Sequence, residues 1–106
     1  MDGNTWILIQ KYLFIYYFIK MNEFEKNLKA CYKNEQKTIK ELQKAKTKDK
    51  QIKLNLQLLG YNTKCINMLQ LGKDLQIIDY TKANEEIAKR LLENKEIYNK
   101  LLLLKQ

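Results

Sequence analysis

Residues 5–21 (TWILIQKYLFIYYFIKM) are apolar at nearly every position, with Gln10, Lys11 and Lys20 as the polar interruptions. A helix that is apolar all round belongs either in a core or in a membrane. Trp6, Ile7, Leu8, Ile9, Leu13, Phe14, Ile15, Phe18 and Ile19 are therefore read as a candidate membrane segment, or as a helix covered by partners. At 1.5 Å per residue the stretch is about 25 Å long, slightly short of a bilayer core of roughly 30 Å. Lys11 lies near its middle, where a lysine costs about 2.5–3.5 kcal/mol on insertion. The opening MDGNT has no basic region and no small-residue cleavage site follows, unlike a secretory signal. Met21 heads a stretch, MNEFEKN, that reads as a second candidate start.

At residue 22 the pattern changes. Positions 24, 28, 31, 35, 38, 42 and 45 recur in steps of four and three, a heptad seam that includes Phe24, Leu28 and Leu42. Glu35 and Thr38 are its two polar members. The same phase runs on through Ile52, Leu56 and Leu59, so a single helix from 22 to 59 competes with a joint in KAKTKDKQ, residues 44–51. Residues 52–59 (IKLNLQLL) alternate in polarity like a strand, but Leu, Lys, Asn and Gln favour helix. Gly60 and Gly72 are candidate helix caps or close-packing points. A break is expected at Asp79–Thr81, where either residue can cap a last helix. That helix carries Ile87, Leu91, Tyr98 and Leu101 on its stripe and ends in four leucines, an apolar terminus that calls for a neighbour.

These elements predict an all-α protein, an antiparallel helical bundle or coiled-coil-like hairpin of three to four helices near 5–20, 22–47, 51–78 and 82–104. Residues 1–21 form the apolar N-terminal helix, and 22–106 the bundle or hairpin domain. The last two helices, richest in leucine, are expected to make the tightest contact. Composition agrees. The 106 residues include no proline, the strongest helix breaker, and only three glycines. No stacking repeat runs through the chain.

The net charge is +8, supplied by lysines and one arginine, Arg90. Lys26, Lys29, Lys33, Lys37, Lys40, Lys44 and Lys48 form a row opposite the seam, about 33 Å long on a continuous helix. Such a row suits acidic protein, anionic lipid or phosphate, or is a solvated face. Base readers favour arginine for its planar fork, so a nonspecific nucleic-acid role through the lysines of 26–53 ranks behind the other two. A polybasic helix directly after an apolar one is the arrangement found at a cytoplasmic leaflet.

The chemistry available is narrow. The chain has no His and no Ser, which removes the commonest general base and the commonest hydroxyl nucleophile. Two cysteines, Cys31 and Cys65, cannot close a zinc site and read as small buried residues, with a disulfide between neighbouring helices as the alternative. No cofactor, metal site, catalytic residue or small-molecule substrate is expected. The expectation is a non-enzymatic, intracellular interaction or structural subunit that pairs through apolar seams with protein partners or with its own copies. The alternative is a membrane-tethered protein with residues 5–21 in the bilayer.

Overall fold

The computed structural model describes residues 3–106, and of Tyr17 its backbone only. Three helices follow one another: α1 over Gly3–Lys44, α2 over Lys48–Asp74 and α3 over Tyr80–Leu104. No strand occurs among the described residues. The protein is all-α, as its composition and periodicity predict.

The expected boundary between residues 20 and 22 does not exist. One helix carries the apolar stretch and the heptad seam, because nothing at Met21 or Asn22 interrupts its backbone ladder. A change of composition is not a helix break when neither proline nor glycine accompanies it.

The single helix over 22–59 is also overturned. The chain turns at residues 45–47, inside the lysine-rich stretch. Thr47 caps α2 with extended backbone, and its hydroxyl accepts from the Lys50 N–H at 3.3 Å. Gln51 then donates from its side chain to the Ala45 carbonyl at 3.1 Å, satisfying a group that the end of α1 leaves open.

The alternating stretch 52–59 is helical, with Leu54, Asn55 and Leu58 buried. Besides Leu54, the inward positions of α2 are 55, 58, 62, 65, 69 and 72, a heptad progression displaced from the phase extrapolated out of α1. The turn resets the phase, so Leu56 is half exposed while Ile52 and Leu59 are partly buried.

Neither Gly60 nor Gly72 caps a helix. A Cβ at Gly60 would meet nothing within 4 Å, whereas one at Gly72 would lie 2.5 Å from Cζ of Phe24. At Gly72 the Phe24 ring of α1 packs directly against the α2 backbone. The helix ends later, with Leu75 as C-cap and Gln76 in the left-handed region at φ 59°. The Ile77 N–H reaches the Gly72 carbonyl at 2.8 Å and the Gln76 N–H reaches that of Lys73 at 3.0 Å, the two bonds of a Schellman motif. Asp79 caps α3, accepting from the Lys82 N–H at 3.0 Å.

The helices run up, down and up. Cys31 meets Cys65 and Gln51 meets Ala45 across α1 and α2; Lys73 meets Asn84 and Asn62 meets Asn94 across α2 and α3. α2 packs on both neighbours, slightly more extensively on α3, while no α1 Cα among the described residues comes within 8 Å of an α3 Cα. Near the turn the core closes around Leu58, Ile97 and Leu101, with Ile39, Leu42, Ile52 and Leu59 against it. Of the terminal leucines, Leu101 is buried, Leu104 partly so, and Leu102 and Leu103 are exposed.

Candidate functional site

The centre of the bundle is polar. Arg90 of α3 is buried and donates from Nη1 to Glu35 Oε2 of α1 at 2.7 Å and to Asn62 Oδ1 of α2 at 2.6 Å. Its Nε reaches Glu86 Oε1 at 3.2 Å, and its guanidinium lies 4.9 Å from the centre of the Tyr32 ring. Tyr32 closes the circuit by donating to Glu86 at 2.7 Å. Asn62, almost fully enclosed, donates to the Arg90 carbonyl at 2.8 Å and to Asn94 Oδ1 at 2.7 Å. Six side chains from three helices thus satisfy one another where the backbones of α1 and α3 stay apart.

The electrostatics are those of a locked structural bridge. Burial pulls the Arg90 guanidinium down, but its hydrogen bond and charge contact with Glu35 override this and hold it above its ordinary value. Burial, then the Glu86 carboxylate, push the Tyr32 hydroxyl well above the usual phenol range. Burial and the Cys31 contact do the same to the Cys65 thiol. Tyr32, Cys65 and Arg90 therefore keep their protons at neutral pH, and none is poised to take or give one. Beside the bridge, between α1 and α3, lies a cleft of about 560 Å³ lined by Glu35, Ile39, Glu86, Lys89, Glu93 and Ile97 among others. Its single guanidinium is already committed to protein partners. Among the described residues no group of acidic or cysteine side chains has the arrangement to hold a metal ion.

Sequence reasoning missed this bridge. Glu35 stood out only as a defect in the α1 seam and Arg90 only as the lone arginine, yet both occupy inward positions. The available signal was the coincidence of the two: one acid in a seam and one guanidinium elsewhere. Arg90 also sets the face of α3. Ala83, Arg90, Ile97 and Leu101 point inward, so Leu91 and Tyr98, expected in the seam, are more than half exposed and Ile87 is partly buried. Of the α1 seam, Phe24 is buried, and Leu28 and Leu42 are partly buried.

The apolar stretch lies outside the bundle. Phe24 is the first buried residue of α1, and every side chain described upstream of it is exposed. Trp6, Ile7, Leu8, Ile9, Leu13, Phe14, Ile15, Phe18 and Ile19 are all at least 37% exposed. Because these positions span the whole circumference, the helix has no polar side to present to water. Where α1 meets the bundle, Tyr16 and Phe24 line an apolar groove with Met68, Leu71, Leu75 and Ile77. A second apolar stripe, Leu91, Tyr98 and Leu102, runs along the outside of α3. Among the described residues no helix is long and apolar enough to cross a membrane. Gln10, Lys11 and Lys20 lower the mean hydropathy of the stretch at 5–21.

The lysine row is exposed throughout. Lys26, Lys29, Lys33, Lys37, Lys40 and Lys44 stay on α1, about 27 Å of helix. Lys48 is separated from them by the turn and donates to the Gln106 carbonyl at 3.4 Å.

Comparison with known proteins places the chain beside none of them: no family model, no curated protein and no solved structure matches it.

Proposed function

We propose that this protein is a non-enzymatic helical interaction subunit that pairs through unpartnered apolar helix faces with partner helices, of another protein or of its own copies, in a larger assembly. One observation carries the reading: the described apolar side chains of the N-terminal part of α1 are spread around its whole circumference and are exposed. In proteins most helical stability comes from packing an apolar face rather than from helix propensity. Fully burying a large apolar side chain contributes roughly 1.5–3 kcal/mol, so covering even half of these nine would drive association strongly. The committed bridge and the absence of His and Ser support a role without catalysis.

The test is light scattering after size-exclusion chromatography, over a range of concentrations, on the full chain and on a variant carrying Ile7→Gln, Leu8→Gln, Phe14→Gln and Ile15→Gln. The native chain should run as an assembly or retain a stoichiometric partner, and the variant as a folded monomer. A native chain that stays monomeric and unaccompanied at every concentration refutes the proposal.

A second reading draws on the continuity of α1, which joins this apolar stretch to the exposed lysines without a break. That arrangement suits a helix lying along an anionic lipid surface, where each basic residue contributes about 1 kcal/mol. Sedimentation with phosphatidylserine vesicles but not phosphatidylcholine vesicles, abolished by Lys33→Glu, Lys37→Glu and Lys40→Glu, would favour it over protein pairing. Salt-sensitive binding to RNA or DNA would instead favour the nucleic-acid role.

A further inference from the structure

Cys31 and Cys65 are buried on facing sides of α1 and α2, 34 positions apart in sequence, with their sulfurs 2.6 Å apart. We propose that they are a modification site: a thiol pair that a small-molecule disulfide such as oxidised glutathione converts to an intramolecular disulfide clamping α1 to α2.

Three features of the surroundings support the pairing. The sulfurs already face each other, so reaching a bond of about 2.05 Å needs only a small side-chain movement. The hydrogens that oxidation removes are expendable. Cys31 donates to the Tyr61 carbonyl at 3.2 Å, a helix carbonyl, and beyond its contact with Cys31 the Cys65 thiol reaches only Glu35, at a long 3.8 Å. Glu35 keeps Arg90 as its partner at 2.7 Å once the thiol is gone. Finally, the pair sits between the polar bridge and the Phe24–Gly72 contact, where α1 leaves the bundle. A bond there fixes the base of the projecting helix and the register of α1 on α2.

The chemistry balances by thiol–disulfide exchange. One protein thiolate attacks a sulfur of the small disulfide, expelling one thiolate and forming a mixed disulfide. The second protein thiolate then attacks the protein sulfur of that mixed disulfide and expels the other. Two protein thiols lose two hydrogens and two electrons, and one small disulfide becomes two thiols. Because both sulfurs are buried and the Cys65 thiol is held protonated, exchange goes through transient opening of the α1–α2 contact, is slow at neutral pH and quickens as pH rises.

The test uses the full native chain, reduced, freed of reductant and exposed to oxidised glutathione. Intact-mass measurement should show a loss of about 2 Da, two hydrogens. Peptide mapping without reduction should recover one crosslinked pair containing Cys31 and Cys65. In the Cys31→Ala variant, checked for native helicity by circular dichroism, the mass loss should disappear. If the wild-type cysteines remain alkylatable after denaturation, or each carries a separate glutathione, the proposal is overturned. The same holds if the only disulfides formed join two chains.

Discussion

Replacing Arg90 with alanine tests the buried bridge most directly. The guanidinium makes three bonds, to Glu35 at 2.7 Å, Asn62 at 2.6 Å and Glu86 at 3.2 Å. Glu86 lies near the surface and loses little. Glu35 is 7% exposed, and with Arg90 gone its remaining contact is the Cys65 thiol at 3.8 Å. Asn62 Oδ1 loses the donor that satisfies it. Breaking a buried ion pair by removing one partner costs about 3–5 kcal/mol, because the other charge stays uncompensated. A domain of this length has roughly 5–15 kcal/mol of stability in all, so Arg90→Ala should remove a large fraction.

Replacing both partners, Glu35→Leu with Arg90→Met, removes the charges together. It should recover the part of the loss that comes from the stranded Glu35 charge, since apolar residues of similar volume are often neutral or stabilising in place of such a pair, while Asn62 Oδ1 stays without its donor. Arg90→Lys should fall between the two, because one ammonium cannot reach Glu35, Asn62 and Glu86 as the fork does. Urea titration followed by circular dichroism gives each free energy, and Glu35→Leu and Arg90→Met made singly complete a mutant cycle with the double. A loss below about 1 kcal/mol for Arg90→Ala would place this contact among ordinary surface pairs and refute the argument that Glu35 is trapped in the interior.

The glycines of α2 should respond in opposite directions to alanine: Gly60→Ala raises stability by about 1 kcal/mol through helix propensity, while Gly72→Ala loses about 1 kcal/mol net because its Cβ displaces the Phe24 ring. Urea midpoints of the two variants decide this, and equal gains would show that Phe24 has room to move. Gln76→Gly should add about 1 kcal/mol, since glycine adopts the left-handed Schellman position without a Cβ penalty; a thermal melt that does not rise contradicts the assigned φ. The pKa directions also fix the behaviour in base. Cys65 and Tyr32 are raised in the folded protein, so their contribution is intact below the unfolded pKa and lost as pH rises above it. Urea melts should show a loss of about 2 kcal/mol between pH 7 and pH 10, mostly from Cys65. Cys65→Ala should flatten that slope, and an unchanged slope would deny Cys65 its part.

Helicity was legible in the sequence because it is a local property: no proline, few glycines, and leucine, lysine, glutamine and glutamate throughout. The Asp79 cap was legible for the same reason, being short-range chemistry, and 44–51 could be marked as a candidate joint, whereas the glycine caps expected at 60 and 72 did not form. The α1 seam from Phe24 to Ala45 could be written down from its steps of three and four. Three things depended on the tertiary structure. The phase of α2 could not be extrapolated through a turn, because three non-helical residues reorient the next helix by an amount that packing sets. The face of α3 followed Arg90 rather than the leucines, because a buried Glu35 and Asn62 supply the partners that allow a guanidinium inside, and those partners lie 55 and 28 positions away. The fate of the apolar stretch was a question of length: periodicity says that it must be covered, but only the end of α2 at Asp74 and the packing of Phe24 on Gly72 place it beyond the bundle, uncovered by its own chain.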